Sequence, residues 1–343
     1  MSLDWLLLPS PLPCPIFGSA PAEWLEHAIT AFTQLWPDNS YFTYNWNVRA
    51  LLALILVSIC CGAVGSLVVG GRLAFFSDAL AHCSFAGVSI GFLLFDAFIV
   101  PYRPGANFWE WVLPIMAGFG IIVGLGIVAV RERTGLASDT VIGVFFAAAI
   151  GLAAMLRHVI KNRRLFDLED FLFGDPLTVN ATDLLILAGL TIVTLVFIAW
   201  GYNHVLLGSF NTSLALSRRV PVRLGNFLFV ALLALIVNLC LRSVGALLIN
   251  ALLIVPAATA MNISRNMRHL FRRTVAICLI VSVLGQVLSW ELGIRTGGRF
   301  GISGTVVLLC VALFVVSMIV GPAYRRRAVA PLQLSIRDPK ANT

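Results

Sequence analysis

The chain has 343 residues, 59% of them hydrophobic and 12% charged, about half the charged share of an ordinary soluble domain, so water is not its main solvent. Its formal net charge of +8 does not point to nucleic acid, because the basic residues fall in short clusters between apolar segments and not along one soluble face. The apolar stretches are long enough, at about 1.5 Å per residue, to cross a hydrocarbon core of roughly 30 Å as helices, and they lack the alternation of a membrane β-barrel.

Residues 1–48 form a first region rich in proline and tryptophan. No cleavable signal peptide is expected, since the run Leu3 to Leu8 is short, contains Asp4 and has no basic residue before it. From Ala22 to Trp36, the residues Trp24, Leu25, Ala28, Ile29, Phe32 and Trp36 recur at roughly helical intervals. This predicts an extracytoplasmic amphipathic helix lying in the membrane interface, with a docking arm for an external partner as the alternative.

Nine spans follow, within a range of eight to ten, at about 49–70, 75–95, 110–130, 139–158, 183–200, 225–241, 243–262, 274–293 and 304–321. The predicted fold class is therefore an all-α integral membrane protein, with a polytopic domain over 49–321. The second span, within Gly71 to Gly91, carries Asp78 and His82 near its start. Ionisable residues in a span cost roughly 2.5–3.5 kcal/mol each on insertion scales and usually mark a substrate path. Four apart, the two share a helical face, and a carboxylate beside an imidazole suits zinc, manganese or ferrous iron. The structural alternative is a capping aspartate and a histidine bonded to a carbonyl. Cys83, about 100° away around the helix, is expected to pack.

Between the fifth and sixth spans, residues 212–220 are expected to form a short helix with Leu214, Leu216, Arg218 and Arg219. Such a helix can dock in a groove of a soluble partner; its alternative is a solvated linker. The seventh span is lined with small residues from Gly245 to Ala260, which let helices approach closely. Pro256 removes a backbone donor and is expected to kink or interrupt the helix, Gly245 is grouped with it as a helix-break or close-packing position, and Asn250 is expected to point inward as pore lining or packing. Residues 322–343 are expected to be a solvated, basic cytoplasmic tail. The seven cysteines show no metal or redox spacing and are read as small apolar packers.

With the N-terminus outside, fifteen of the 24 basic residues fall in inside loops and the C-terminal tail, as the positive-inside rule favours. No phosphate-binding glycine loop occurs, so any ATP hydrolysis belongs to another chain.

Arg72 and Phe75 to His82, Ser138 to Gly143, Phe171 to Asp175 and Val244 to Ala260, in this order, together resemble the zinc/manganese/iron permease family of ATP-binding-cassette importers, the ABC-3 family, over about residues 49–320. The resemblance implies an architecture similar to the vitamin B12 and siderophore importer permeases, in a prokaryotic inner membrane. It also implies a second permease protomer (a homodimer, or a heterodimer with a related permease), two copies of a cytoplasmic ATP-binding subunit, and an extracytoplasmic metal-binding protein. The family's metal-path aspartate and histidine fall on Asp78 and His82, and its ATPase-coupling loop falls around Leu214 to Val220. No permanently bound cofactor, no enzymatic activity of the chain itself and no nucleic-acid partner are expected; the cargo is a divalent metal ion. The alternative is a secondary, proton-coupled metal carrier.

Overall fold

The computed structural model describes residues 19–37, 40–71, 73–98, 101, 108–159, 174–210, 222–264, 266–298 and 300–337. Its helices are α1 (Ser19–Thr33), α2 (Asn45–Gly70), α3 (Phe76–Phe98), α4 (Phe108–Thr134), α5 (Ser138–Val159), α6 (Ala181–Phe210), α7 (Val222–Val244), α8 (Ala246–Ile263), α9 (Met267–Thr296) and α10 (Ile302–Arg337). Short 3-10 turns lie at Tyr41–Thr43 and Pro176–Thr178. Among the described residues nine helices, α2 to α10, are long and apolar enough to cross a membrane, one for each expected span, and no strand is found.

The bundle is built around α2, which packs against α6, α8 and α9. Two glycines allow that contact. A Cβ on Gly62 would lie 2.8 Å from the Cα of Val275, and one on Gly65 would lie 2.6 Å from the carbonyl oxygen of Leu253; removing side chains lets the backbones touch where lipid supplies no hydrophobic drive. A second group forms where α3 packs against α4 and α5 and α4 packs on α7, with α3 also touching α7 and α8. The outward faces of α6 and α10 show Ile192, Val196, Trp200, Leu308 and Ile319 to the surroundings, as a lipid-facing surface requires.

Several polar side chains inside the bundle are paired. Ser58 bonds Ser282 at 2.6 Å, the Gln286 amide donates to the Asn47 carbonyl at 3.2 Å, and Cys60 bonds Thr191 at 3.2 Å. The six cysteines among the described residues are all buried and free.

α8 runs through Pro256 as one helix, so of the two outcomes expected there, a kink or an interruption, the interruption does not occur. The carbonyl left without its helical donor is that of Leu252, four residues earlier, and the Cys278 thiol of α9 donates to it at 3.3 Å. A break falls at Gly245, where φ is 83° and ψ 159° and α7 passes directly into α8.

A helix forms in the N-terminal region, over Ser19–Thr33 where 22–36 was expected. α1 lies against α2 and α6, burying Ile29 and Thr33, and is fixed by Arg49 to Glu26 at 2.9 Å and by Thr33 to Asn45 at 2.8 Å. The last helix continues beyond its span to Arg337.

Candidate cation site

α3 starts from a tight turn in which Leu73 donates its backbone N–H to Val68 and Phe76 donates to Leu73. Phe76 and Ser77 are fully buried and seat the first turn against the bundle. That anchoring turns the next residue, Asp78, to a partly open face, and His82 follows one turn later on the same side. The Asp78 Oδ1 and His82 Nε2 atoms stand 4.0 Å apart. This is too long for a hydrogen bond, yet two ligands at about 2.1 Å from one ion span up to about 4.2 Å. The Asp78 carboxylate is 46% exposed and the His82 ring 25%, so both reach an accessible face.

Two neighbours hold the pair. The His82 ring meets Phe146 of α5 edge to face at 4.9 Å, and Asn250 of α8 donates from Nδ2 to Asp78 Oδ1 at 2.9 Å. Asn250 thus does point inward, and its partner is the aspartate. Cys83 is buried with its Sγ 3.9 Å from the Phe145 carbonyl, away from the pair. Among the described residues no group of three or more His, Cys, Asp and Glu is placed to hold a metal ion.

The other motif residues assemble elsewhere. Asp175 accepts from the backbone N–H of Leu177 at 3.0 Å, while Gly174 lies against Gly245 and Ser303 donates to the carbonyls of both Gly174 and Val244. Leu214, Leu216, Arg218 and Arg219 of the expected coupling loop, like Arg72 and Phe171 to Phe173, lie outside the described residues. Sequence reasoning missed Asn238, which is fully buried, bonds Ser84 of α3 and returns a hydrogen bond to the Ala234 carbonyl at 2.7 Å. An asparagine in an apolar run was the available signal.

The sequence model of the ABC 3 transport family matches residues 43–321. The manganese import system permease protein ScaB of Streptococcus parasanguinis is 29% identical over 278 residues, covering 81% of this chain and 91% of that protein. The manganese transport system membrane protein MntC of Halalkalibacterium halodurans is 28% identical over 282 residues, covering 82% and 89%. Among solved structures, PsaBC from Streptococcus pneumoniae in complex with Fab matches with a TM-score of 0.65 and 26% identity, over 82% of this chain and 94% of that one. An inward-facing conformation of a putative metal-chelate type ABC transporter shares the fold, with a TM-score of 0.61 at 15% identity.

Proposed function

Since this chain belongs to the ABC 3 transport family, a multi-pass permease of an ATP-binding-cassette importer and not itself an enzyme, we propose that its cargo is a divalent transition metal, manganese first, carried past Asp78 and His82. The observation that carries this proposal is the pair itself: a carboxylate and an imidazole on one face of a helix long and apolar enough to span a membrane, 4.0 Å apart and not hydrogen-bonded to each other. The manganese preference rests on the names of the relatives ScaB and MntC. Carboxylate and imidazole alone leave zinc and ferrous iron open, and zinc binds such donors more tightly unless geometry or supply intervenes.

The protein's work is to replace part of the ion's hydration with oxygen and nitrogen donors, weakly enough that the ion leaves again. Two cytoplasmic ATP-binding subunits drive the alternation by pushing on the loop around Leu214, Leu216, Arg218 and Arg219. A binding protein delivers the ion from outside, and a second permease protomer completes the path. The N-terminus then lies outside and the C-terminus inside a prokaryotic inner membrane. Residues 1–48 are the extracytoplasmic extension, 49–321 the permease domain and 322–343 the cytoplasmic tail.

The test is metal uptake by vesicles containing the chain assembled with its ATP-binding partner. Asp78→Ala and His82→Ala are expected each to depress manganese uptake strongly at unchanged protein level. Wild-type rates in both variants at limiting metal would reduce these residues to a structural role.

A further inference from the structure

Two donors do not fill a metal's coordination shell, and within the described residues the neighbouring His, Cys, Asp and Glu side chains do not supply a third. A polar group of another kind reaches the pair from α8. Asn250 presents its Nδ2 to Asp78 Oδ1 at 2.9 Å, while its own Oδ1 is buried with no hydrogen-bond partner. A buried acceptor left unpaired is costly and rare. Resting on the assignment of Asp78 and His82 as cation ligands, we propose that Asn250 is the third donor of the site, its amide oxygen turning toward the ion as the ion enters.

The amide offers its NH2 to the carboxylate, because two oxygens in contact repel. The price of that orientation is the stranded Oδ1. The two ends of an amide are nearly the same shape, so a half-turn about the last side-chain torsion places oxygen where nitrogen now stands, 2.9 Å from Asp78 Oδ1. A cation between the two oxygens removes the repulsion and gives the stranded acceptor a partner.

The donor set also selects among metals. Amide and carboxylate oxygens favour manganese, whereas zinc prefers four-coordinate sites richer in nitrogen or sulfur. Asn250 therefore counteracts the ordinary advantage of zinc and contributes to specificity within the permease.

The experiment measures manganese and zinc uptake over a range of concentrations by the chain reconstituted with its ATP-binding partner. The variants are Asn250→Val, which removes both polar atoms at similar size, and Asn250→Asp, which keeps an oxygen. Asn250→Val is expected to raise the half-saturating manganese concentration by about tenfold or more and zinc's much less, so that the manganese-to-zinc ratio falls. Asn250→Asp is expected to keep the ratio near wild type. If Asn250→Val does not assemble, Asn250→Ser, whose hydroxyl is too short to reach the ion, must show the same fall. An unchanged ratio overturns the third-donor role, whether uptake is intact or lowered equally for both metals as lost packing between α3 and α8 would cause. Asp78→Ala and His82→Ala run alongside: if they lose uptake while the Asn250 variants keep the ratio, only the third donor falls, and if they transport normally, the whole cation site falls with it.

Discussion

Gly174 and Gly245 cross so closely that a Cβ on Gly174 would stand 2.4 Å from the backbone nitrogen of Gly245. Gly245 also has φ 83° and ψ 159°, a conformation essentially reserved for glycine, and Gly174 sits at φ 51°. Ser303 at the start of α10 ties the crossing by donating to the carbonyls of Gly174 at 3.3 Å and Val244 at 3.5 Å. A side chain at Gly245 pays about 1–3 kcal/mol in backbone strain, and one at Gly174 adds a clash with backbone that cannot move aside. Gly245→Ala and Gly174→Ala are each expected to lower the thermal unfolding temperature of the detergent-purified protein clearly, and Ser303→Ala by less. An unchanged melting temperature in both glycine variants would show that the crossing is looser than this geometry requires.

Cys278 and Pro256 form a second pair whose energies should not add. Pro256 frees the Leu252 carbonyl, and the Cys278 thiol takes it up at 3.3 Å. Cys278→Ala therefore strands a buried acceptor, at a cost of about 1–3 kcal/mol. Pro256→Ala restores a backbone N–H that can bond Leu252 within α8. In that background Cys278→Ala is expected to cost much less, a coupling that a double-mutant cycle in chemical or thermal unfolding measures directly. Additive losses would mean that the thiol only fills space.

The spans were legible because hydropathy is a local property, and among the described residues nine apolar runs became nine membrane-length helices. Asp78 and His82 were legible for the same reason, as ionisable residues four apart in an apolar run. Contacts across the bundle were not. Asn250 and Asp78 are separated by 172 residues, and helical periodicity orders only the neighbours on one helix, so inward-pointing was the most that the sequence could say of Asn250. At Pro256 the missing donor was plain in the sequence, while the Cys278 thiol that takes up the freed carbonyl lay on another helix. Gly245 could be named as a break or close-packing position, but not its backbone angles, since a glycine's φ is set by what crosses it.

A third expectation concerns ATP. The sequence has no phosphate-binding loop, and the family places the chain among importer permeases. The purified chain is expected to hydrolyse no ATP, and metal-stimulated hydrolysis is expected only after an ATP-binding partner is added. Leu216→Asp in the expected coupling loop should then loosen that partner and abolish uptake while membrane insertion is kept. Undiminished uptake by this variant at normal expression would remove the loop from the mechanism.

The last prediction places α1 at the membrane surface. Residues 1–42 precede the part of the chain that the family model matches, so the role of this helix must be argued from its own faces. Ile29 and Thr33 are buried against the bundle, with Ala22, Leu25, Glu26 and Thr30 half-buried beside them. Trp24, Ala28, Ala31, Phe32 and Leu35 form an exposed apolar stripe, and Trp24 is 72% and Leu35 80% exposed. Glu23, His27 and Gln34 form an exposed polar stripe between the two. A helix fixed to a membrane bundle by Glu26 and Arg49 at 2.9 Å, with one free face apolar and the next polar, suits the boundary between acyl chains and water. Nearby, Tyr41 and Tyr44 pack on Trp290 at 5.8 and 5.4 Å, amphipathic rings of the kind enriched at that level. Spin labels on single cysteines introduced at 24, 28 and 35, in a Cys14→Ser background, are expected to be reached by dissolved oxygen from the lipid. Labels at 23, 27 and 34 should be reached by a water-soluble nickel chelate. Equal access of the chelate to all six positions would lift α1 off the membrane and favour a docking arm, and Glu26→Gln should loosen the helix and broaden that access.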